Sequence, residues 1–334
     1  MQNFEYRTPT SLIVNELKCL ENYRLTAPRY EAMKYRRCGH SGILLPEISL
    51  GFWHNFGEAA DPEKCRAIVE TAFDAGITYF DLANNYGPPY GSAETMFGRI
   101  WKRSLADHRD EILIATKAGH DMWPGPYGEW GSRKSLMASI DQSLKRMQLD
   151  YVDIFYSHRP DPVTPLEETM QALVDIVRSG KALYAGISKY PPEMAERAYA
   201  YLREAHVPCL VYQGKYNMLN REHEERILPQ AAEEGVGYVA FSPLAQGLLS
   251  GRYLNGIPED SRMRTSKFLN ESILTPELLA QLRAWNEEAR AEGLSLAQYA
   301  LRWVLRRPEV TSVLVGVSSV EQLQDNLRTI SYPR

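Results

Sequence analysis

The segment YVDIFYSH, residues 151–158, carries the pattern that decides the fold. Apolar and aromatic residues run through it almost without a break, and it ends on a histidine. A strand with one wet face would alternate polar and apolar residues, so a continuous apolar run indicates a parallel strand covered on its outer face by helices. The segment GYVAFS, residues 237–242, has the same form and ends on a serine.

Short runs of this kind recur along the chain, and the segments between them have apolar residues at every third or fourth position. The runs lie at residues 48–52, 77–82, 111–117, 151–158, 181–188, 210–216, 236–242 and 312–316. This regular alternation of strand and helix predicts an α/β fold, a (β/α)8 or TIM barrel. We expect one barrel domain at residues 35–334, preceded by an N-terminal extension at residues 1–34.

The alternative is a doubly wound sheet, whose nucleotide-binding fingerprint GxGxxG lies between a strand and the helix that follows it. The nearest match begins at Gly235, but it follows a helical segment and enters a strand. Gly235 is therefore predicted to end a helix. The barrel remains the favoured architecture.

Composition excludes some classes of function. The chain has 334 residues, 44% hydrophobic and 24% charged, and a formal net charge of -4, so it lacks the basic patch of a nucleic-acid-binding protein. Its four cysteines are far apart and form no CxxC pair, which favours a reducing, cytoplasmic environment. The apolar part of the extension is too short to span a bilayer and lacks the features of a signal peptide. We expect no membrane partner.

Polar and aromatic side chains stand at or just after the carboxyl ends of the predicted strands. In a parallel barrel these ends meet at one mouth, where the chemistry is built. The residues are Trp53, His54, Asp81, Lys117, His158, Ser188, Gln213, Tyr216 and Ser242.

Four residues of this mouth have the chemistry of a proton donor. Tyr86 follows Asp81 by five residues and is the predicted general acid. A tyrosine has a pKa of about 10 and donates poorly near neutrality, so we expect the Lys117 ammonium to lower the pKa of Tyr86. Asp81 would hold the ammonium, and His158 would bind and orient a carbonyl oxygen.

A proton donor does not reduce a carbonyl, so these residues imply a cofactor that supplies hydride. Tyr216 is predicted to offer its ring to a nicotinamide, and Ser188 and Gln213 to bind the carboxamide.

Two segments are predicted to bind phosphate. Residues 241–253, FSPLAQGLLSGRY, follow a late strand and include Arg252, and Arg262 adds a charge further on. Gly316 precedes a helix whose first amide groups favour an anion.

Several ordered motifs together resemble the aldo-keto reductase family, over residues 35 to about 328. They are FDLANNYG, IATKAGHDMWPGPYG, DIFYSHR, GISKY, QGKYNMLNR, FSPLAQGLLSGRYLNG and GVSSVEQLQDN. Within the family, LGFWHNFG, NNYGPPYGSAE and DMWPGPYG resemble the branch of bacterial glyceraldehyde 3-phosphate reductases, which is close to the potassium-channel β-subunits.

The resemblance implies NADPH as cofactor and a catalytic tetrad of Tyr86, Asp81, Lys117 and His158. It implies that Trp53, Asp81, Ser188, Gln213 and Tyr216 surround the nicotinamide and its ribose. The pyrophosphate would lie along Ser242, Pro243, Leu244, Gly247, Leu249 and Gly251. The adenosine and its 2′-phosphate would lie at Arg252, Arg262, Ser318, Gln322, Asp325 and Asn326.

The predicted substrate is a small aldehyde, such as glyceraldehyde 3-phosphate or a methylglyoxal-like carbonyl, which would be reduced to an alcohol. Its pocket would combine Tyr86 and His158 with aromatic residues, namely Trp53, His54, Trp123, Tyr127 and Trp130. Arg133, Lys134 and Arg159 lie near mouth loops and are candidates to hold a substrate phosphate. We also expect a homo-oligomer.

Two other functions stay open. One is a cofactor-binding, redox-sensing regulatory subunit like the channel β-subunits, although those typically carry asparagine where this chain has His158. The other is an unrelated barrel enzyme, a lyase or a metal hydrolase. His223-Glu224-Glu225 is the nearest candidate for metal ligands, but it lacks a second histidine four residues on. We therefore predict no metal.

Overall fold

A computed structural model describes residues 28–258 and 271–331 of the chain. Within these ranges it has ten strands, β1 to β10, at Tyr35–Arg37, Leu44–Pro46, Ile48–Gly51, Tyr79–Asp81, Leu113–Ala118, Val152–Ser157, Ala182–Ser188, Cys209–Lys215, Gly237–Phe241 and Val310–Val315. The α-helices of the same ranges, α1 to α9, are Pro62–Asp74, Ser92–Ile100, Arg133–Met147, Leu166–Arg178, Pro192–Glu204, Ile227–Glu233, Pro276–Ala291, Leu296–Leu305 and Val320–Ser331.

Strands β3 to β10 form a closed parallel barrel in which β10 pairs with both β3 and β9. The predicted (β/α)8 fold is confirmed, and each of the apolar runs overlaps one barrel strand. At least one helix follows every barrel strand, because a parallel connection must return the chain to the opposite end of the sheet.

The hairpin of β1 and β2 lies outside the sequence prediction. Its strands pair antiparallel, and Cys38 and Leu45 are fully buried among the side chains inside the barrel, such as Leu210 and Val239. The hairpin thus closes the amino-terminal end of the barrel, opposite the mouth.

Local sequence explains where several helices begin. Asp61 and Ser132 precede α1 and α3, and their side chains accept hydrogen bonds from the first exposed amides of those helices. Thr275 does the same for α7, and Ser295 forms a reciprocal capping box with Gln298 at the start of α8. Each of these residues satisfies backbone donors that a helix start leaves unpaired.

Gly235 follows the end of α6 with a φ of +68°, a left-handed conformation that favours glycine. Its predicted role as a helix-ending residue is confirmed. The Gly235 carbonyl also accepts the His40 N–H at 2.8 Å, so the same turn anchors the hairpin.

The described end of the predicted extension contacts the barrel. Met33 is buried, and the Arg29 guanidinium lies 4.2 Å from the centre of the Phe73 ring on α1. The predicted division of the chain at residue 34 stays a prediction.

Candidate active site

Asp81 ends β4 and is held by three hydrogen-bond donors. Lys117 Nζ lies 2.5 Å from its Oδ2, and Gln213 Nε2 donates to its Oδ1 at 2.8 Å. The Tyr79 hydroxyl donates to the same Oδ1 at 3.1 Å. Since all four residues are buried, the carboxylate keeps one orientation in a medium of low polarity.

Tyr79 was not singled out from the sequence, although a signal for it exists. It stands two residues before Asp81 in one strand, and side chains two apart lie on the same face. Its hydroxyl is also 2.8 Å from the Tyr156 hydroxyl, beneath the Asp81–Lys117 pair. These two tyrosines support the floor of the mouth.

Lys117 joins Asp81 to Tyr86. Its Nζ donates to the Leu82 carbonyl at 2.5 Å and lies 3.4 Å from the Tyr86 hydroxyl oxygen. The side chain is fully buried, and burial lowers the pKa of Lys117 while the Asp81 carboxylate opposes that shift. The predicted association of Asp81, Lys117 and Tyr86 is present.

The direction of the pKa shift predicted for Tyr86 is wrong. Burial, and then the negative charge of Asp81, raise the pKa of Tyr86 well above 10. Desolvation disfavours the phenolate, and Lys117 does not reverse that shift. Tyr86 therefore stays protonated at neutral pH, as a proton donor requires.

His158 follows β6, is 4% exposed, and presents its ring edge-on to Tyr86 with 5.7 Å between ring centroids. Burial lowers the pKa of His158 well below 6.5, and the nearby cations Lys189 and Lys117 lower it further. The imidazole is thus neutral and carries one N–H. Its Nδ1 is buried and makes no hydrogen bond to any described residue.

Ser188 and Gln213 fit the predicted nicotinamide carboxamide. Ser188 Oγ is buried and makes no hydrogen bond within the described ranges. Gln213 uses its Nε2 on Asp81, and its Oε1 remains available as an acceptor. A donor and an acceptor on neighbouring strands are what a primary amide requires.

The structure contradicts the role predicted for Tyr216. Its side chain is fully buried between barrel and helices, where its ring centroid is 5.4 Å from that of Trp303 on α8. Its hydroxyl donates to Glu224 Oε1 at 2.6 Å. A ring without an exposed face cannot stack on a nicotinamide.

Phe241, the last residue of β9, is the aromatic residue that the sequence reasoning missed. It is partly exposed and packs on the cluster inside the barrel, unlike Tyr238 and Ala240, which belong to the outer cluster. The signal was the alternation within GYVAF, which places Val239 and Phe241 on the inner face.

The segment after β9 bends sharply, as a phosphate-binding loop would. Ser242, Gln246, Gly247 and Gly251 have φ of +52°, +58°, +101° and +78°. Where residues in the left-handed conformation alternate with right-handed ones, successive backbone N–H groups point into one concave site. Such a site can bind an anion. Pro243 and Leu249 have buried side chains, and Leu244 is partly buried. A phosphate would therefore contact mainly the backbone of this segment. Arg252 is exposed, whereas Arg262 lies outside the described residues.

The residues predicted to hold the adenosine lie on the first turns of α9 and before it. Ser318 and Gln322 are exposed there, and Ser318 N–H donates to Gln322 Oε1 at 2.9 Å. Asp325 accepts from Gln298 Nε2 at 2.8 Å, and Asn326 is buried. Gly316 is exposed between β10 and this helix.

The aromatic residues predicted for the substrate pocket lie in two loops. The rings of Trp53 and His54 are in contact at an interplanar angle of 37°, with 3.9 Å between centroids, and the Trp53 carbonyl accepts the Gly87 N–H at 3.1 Å, beside Tyr86. Trp123 lies in the loop of residues 119–131, whose base is closed by Trp130 N–H donating to the Gly119 carbonyl at 3.2 Å.

The sequence of this chain matches a known protein family. The model of the Aldo/keto reductase family matches residues 47–333. The chain belongs to the aldo/keto reductase family. It is accordingly an oxidoreductase.

Relatives of this chain carry names that describe two different functions. The chain is 56% identical to the L-glyceraldehyde 3-phosphate reductase of Escherichia coli K12, over 308 residues that span 91% of this chain and 89% of the relative. It is 35% identical to a probable voltage-gated potassium channel subunit beta of Arabidopsis thaliana, over 305 residues that span 89% and 91%.

The described residues contain no helix long and apolar enough to cross a membrane. Nor do they contain a group of three histidine, cysteine or acidic side chains arranged to hold a metal ion.

Proposed function

We propose that this aldo/keto reductase reduces small aldehydes to primary alcohols with NADPH, and that glyceraldehyde 3-phosphate is among its substrates. The observation that carries the proposal is the Tyr86 hydroxyl 3.4 Å from the buried Lys117 Nζ, with the ring of His158 edge-on beside it. The 56% identity to a protein named as an L-glyceraldehyde 3-phosphate reductase supports the choice of substrate.

The nicotinamide of NADPH supplies hydride to the carbonyl carbon when it is bound. His158 donates its N–H to the carbonyl oxygen and so orients the carbonyl. Tyr86 gives its phenolic proton to the same oxygen as negative charge develops there, which completes the alcohol. Lys117 stabilises the phenolate that Tyr86 becomes, and Asp81 holds Lys117 in place.

The cofactor contacts in this proposal follow the sequence prediction with one replacement. Ser188 and Gln213 bind the carboxamide, Trp53 and Asp81 lie near the nicotinamide ribose, and Phe241 takes the place of Tyr216 as the aromatic platform. The turns between Ser242 and Gly251 bind the pyrophosphate. Arg252, with the first turns of α9, binds the adenosine and its 2′-phosphate.

A regulatory, cofactor-sensing subunit is the second candidate, and the 35% identity to a probable channel β-subunit favours it. His158 argues for the reductase, since a neutral imidazole can bind a carbonyl oxygen during its reduction. A cytoplasmic location and a homo-oligomer remain predictions. The three described cysteines, Cys38, Cys65 and Cys209, are free and buried.

An aldehyde panel with NADPH or NADH tests the proposal. We expect the wild type to oxidise NADPH on addition of D- or L-glyceraldehyde 3-phosphate. Tyr86→Phe should lower kcat by roughly 10²- to 10⁴-fold, because it removes the general acid. It should still bind NADPH, as measured by fluorescence titration.

Tyr90→Phe is the matched control, since Tyr90 lies in the same loop and is 53% exposed. It should keep the wild-type rate. A fully active Tyr86→Phe would refute the role of Tyr86. NADPH binding without turnover of any aldehyde would favour the regulatory subunit.

A further inference from the structure

Lys189 follows β7 directly and occupies an unusual position at the mouth. Its φ is +62°, a left-handed conformation that non-glycine residues seldom adopt and that often marks functional sites. Its Nζ lies 3.4 Å from His120 Nε2 and 5.6 Å from the centre of the Phe241 ring. The His120 ring in turn packs edge-on against His158, with 4.5 Å between centroids.

Three cations act on the ring of His158, and two of them already have carboxylate partners. Lys117 pairs with Asp81, and Arg159 pairs with Glu129 at 2.5 Å. Lys189 forms no ion pair with any residue that the structure describes. Burial, together with Lys117 and Arg159, lowers the pKa of Lys189 to about 8. Burial and the neighbouring cations disfavour the charged form of Lys189, and a bound anion beside it would favour that form.

A cavity adjoins Lys189 on one side. Lys189 and Phe241 both line a cavity of about 320 Å³ beside the ends of β7 and β8. Lys215 and Arg226 add further cations to its wall, and Glu222 and Glu225 stand on the wall as well. His120 and His158 are not among its lining residues, so Lys189 is linked to the carbonyl site by its contact with His120.

The arginines considered from the sequence fit this role less well. Arg133 pairs with Asp175 on α4. Arg159 donates to the Gly119 carbonyl at 2.9 Å and packs on Trp130, in addition to its pair with Glu129. Both guanidinium groups are therefore occupied by contacts that shape the mouth loops.

We propose that Lys189 binds the phosphate of a phosphorylated short-chain aldehyde whose carbonyl lies between Tyr86 and His158. His120 is a positioning residue, because its neutral Nε2 can accept a hydrogen bond from the ammonium of Lys189 and hold it beside the carbonyl site. This inference rests on the proposed reductase function. It makes Lys189 a determinant of preference among aldehydes.

The test compares glyceraldehyde 3-phosphate with glyceraldehyde as substrates for the wild type, Lys189→Met and Lys189→Arg, at saturating NADPH. Lys189→Met should lower kcat/KM for the phosphorylated aldehyde by roughly 10- to 100-fold, mainly by raising KM. A loss of this size corresponds to the loss of one hydrogen bond from a charged donor. The ratio of kcat/KM between the two aldehydes should fall by a similar factor. Lys189→Arg, which keeps the charge, should restore most of that ratio.

Lys145→Met is the control for loss of one positive charge, because Lys145 is exposed on α3. It should leave the ratio unchanged. An equal loss on both aldehydes, or a raised KM for NADPH with both, would overturn the inference and place Lys189 at the cofactor. A wild type that reduces neither aldehyde would instead refute the proposed function itself.

Discussion

Aromatic residues near the mouth lie on either the inner or the outer face of the barrel. Phe241 and Val239 point into the barrel, whereas Tyr238 and Tyr216 belong to the layer between barrel and helices. At the scale of the residue, this difference decides which ring a nicotinamide can reach.

A pair of substitutions tests that division. Phe241→Ala should raise the Kd for NADPH by roughly tenfold, about 1.4 kcal/mol, because the stacking surface is lost. Tyr216→Phe should leave the Kd unchanged, since it removes only the hydrogen bond to Glu224. Fluorescence titration measures both values. A Phe241→Ala variant with wild-type affinity would show that another surface supports the ring.

At the scale of the element, one guanidinium adds to the contacts that hold the hairpin on the barrel. Arg36 in β1 donates to the carbonyls of Leu305 at 2.6 Å and Val310 at 2.6 Å, and to Glu47 at 2.8 Å. These bonds connect the hairpin to the end of α8 and the start of β10. The two elements therefore depend on each other.

Arg36→Met should lower the free energy of unfolding by about 2 to 4 kcal/mol, because several partly buried acceptors lose a charged donor. The neighbouring Arg37→Met is the control, since Arg37 is exposed and donates to the Ser41 carbonyl. It should change the value by less than about 0.5 kcal/mol. Urea unfolding followed by circular dichroism measures both, and equal losses would contradict the assigned role of Arg36.

At the scale of the whole molecule, the predicted cofactor would contact segments that lie far apart in the chain. Its nicotinamide end would face β4, β7 and β8, and its adenosine end would face α9. Binding to the folded chain alone stabilises it by RT ln(1 + [L]/Kd), which is about 2.7 kcal/mol at one hundred times the Kd.

NADPH at that concentration should therefore raise the Tm by a few degrees, and NADH at the same concentration should raise it less. The difference would come from the 2′-phosphate near Arg252. Differential scanning fluorimetry measures both shifts. Equal shifts would refute the preference for NADPH.

Much of the site was predictable, because the pattern that identifies a buried parallel strand also shows where it ends. Asp81, Lys117, His158, Ser188 and Gln213 lie at such ends, and a closed parallel barrel brings strand ends to one mouth. Tyr79 and Phe241 were predictable in principle, since the period of two in a strand specifies the face of each residue.

Other features depended on contacts that no local pattern contains. Tyr216 lies just beyond the end of β8, where the alternation of faces stops, so its burial against Trp303 was decided by the packing of α8. The pKa of Tyr86 depends on how completely neighbouring segments exclude water. Lys189 meets His120 only because β7 and the loop after β5 reach the same mouth.

The sequence alone therefore determined the barrel and the residues at its strand ends, because strand periodicity is local. The tertiary structure decided burial, charge state and the neighbours of each side chain, because desolvation and Coulomb interactions depend on distances in space.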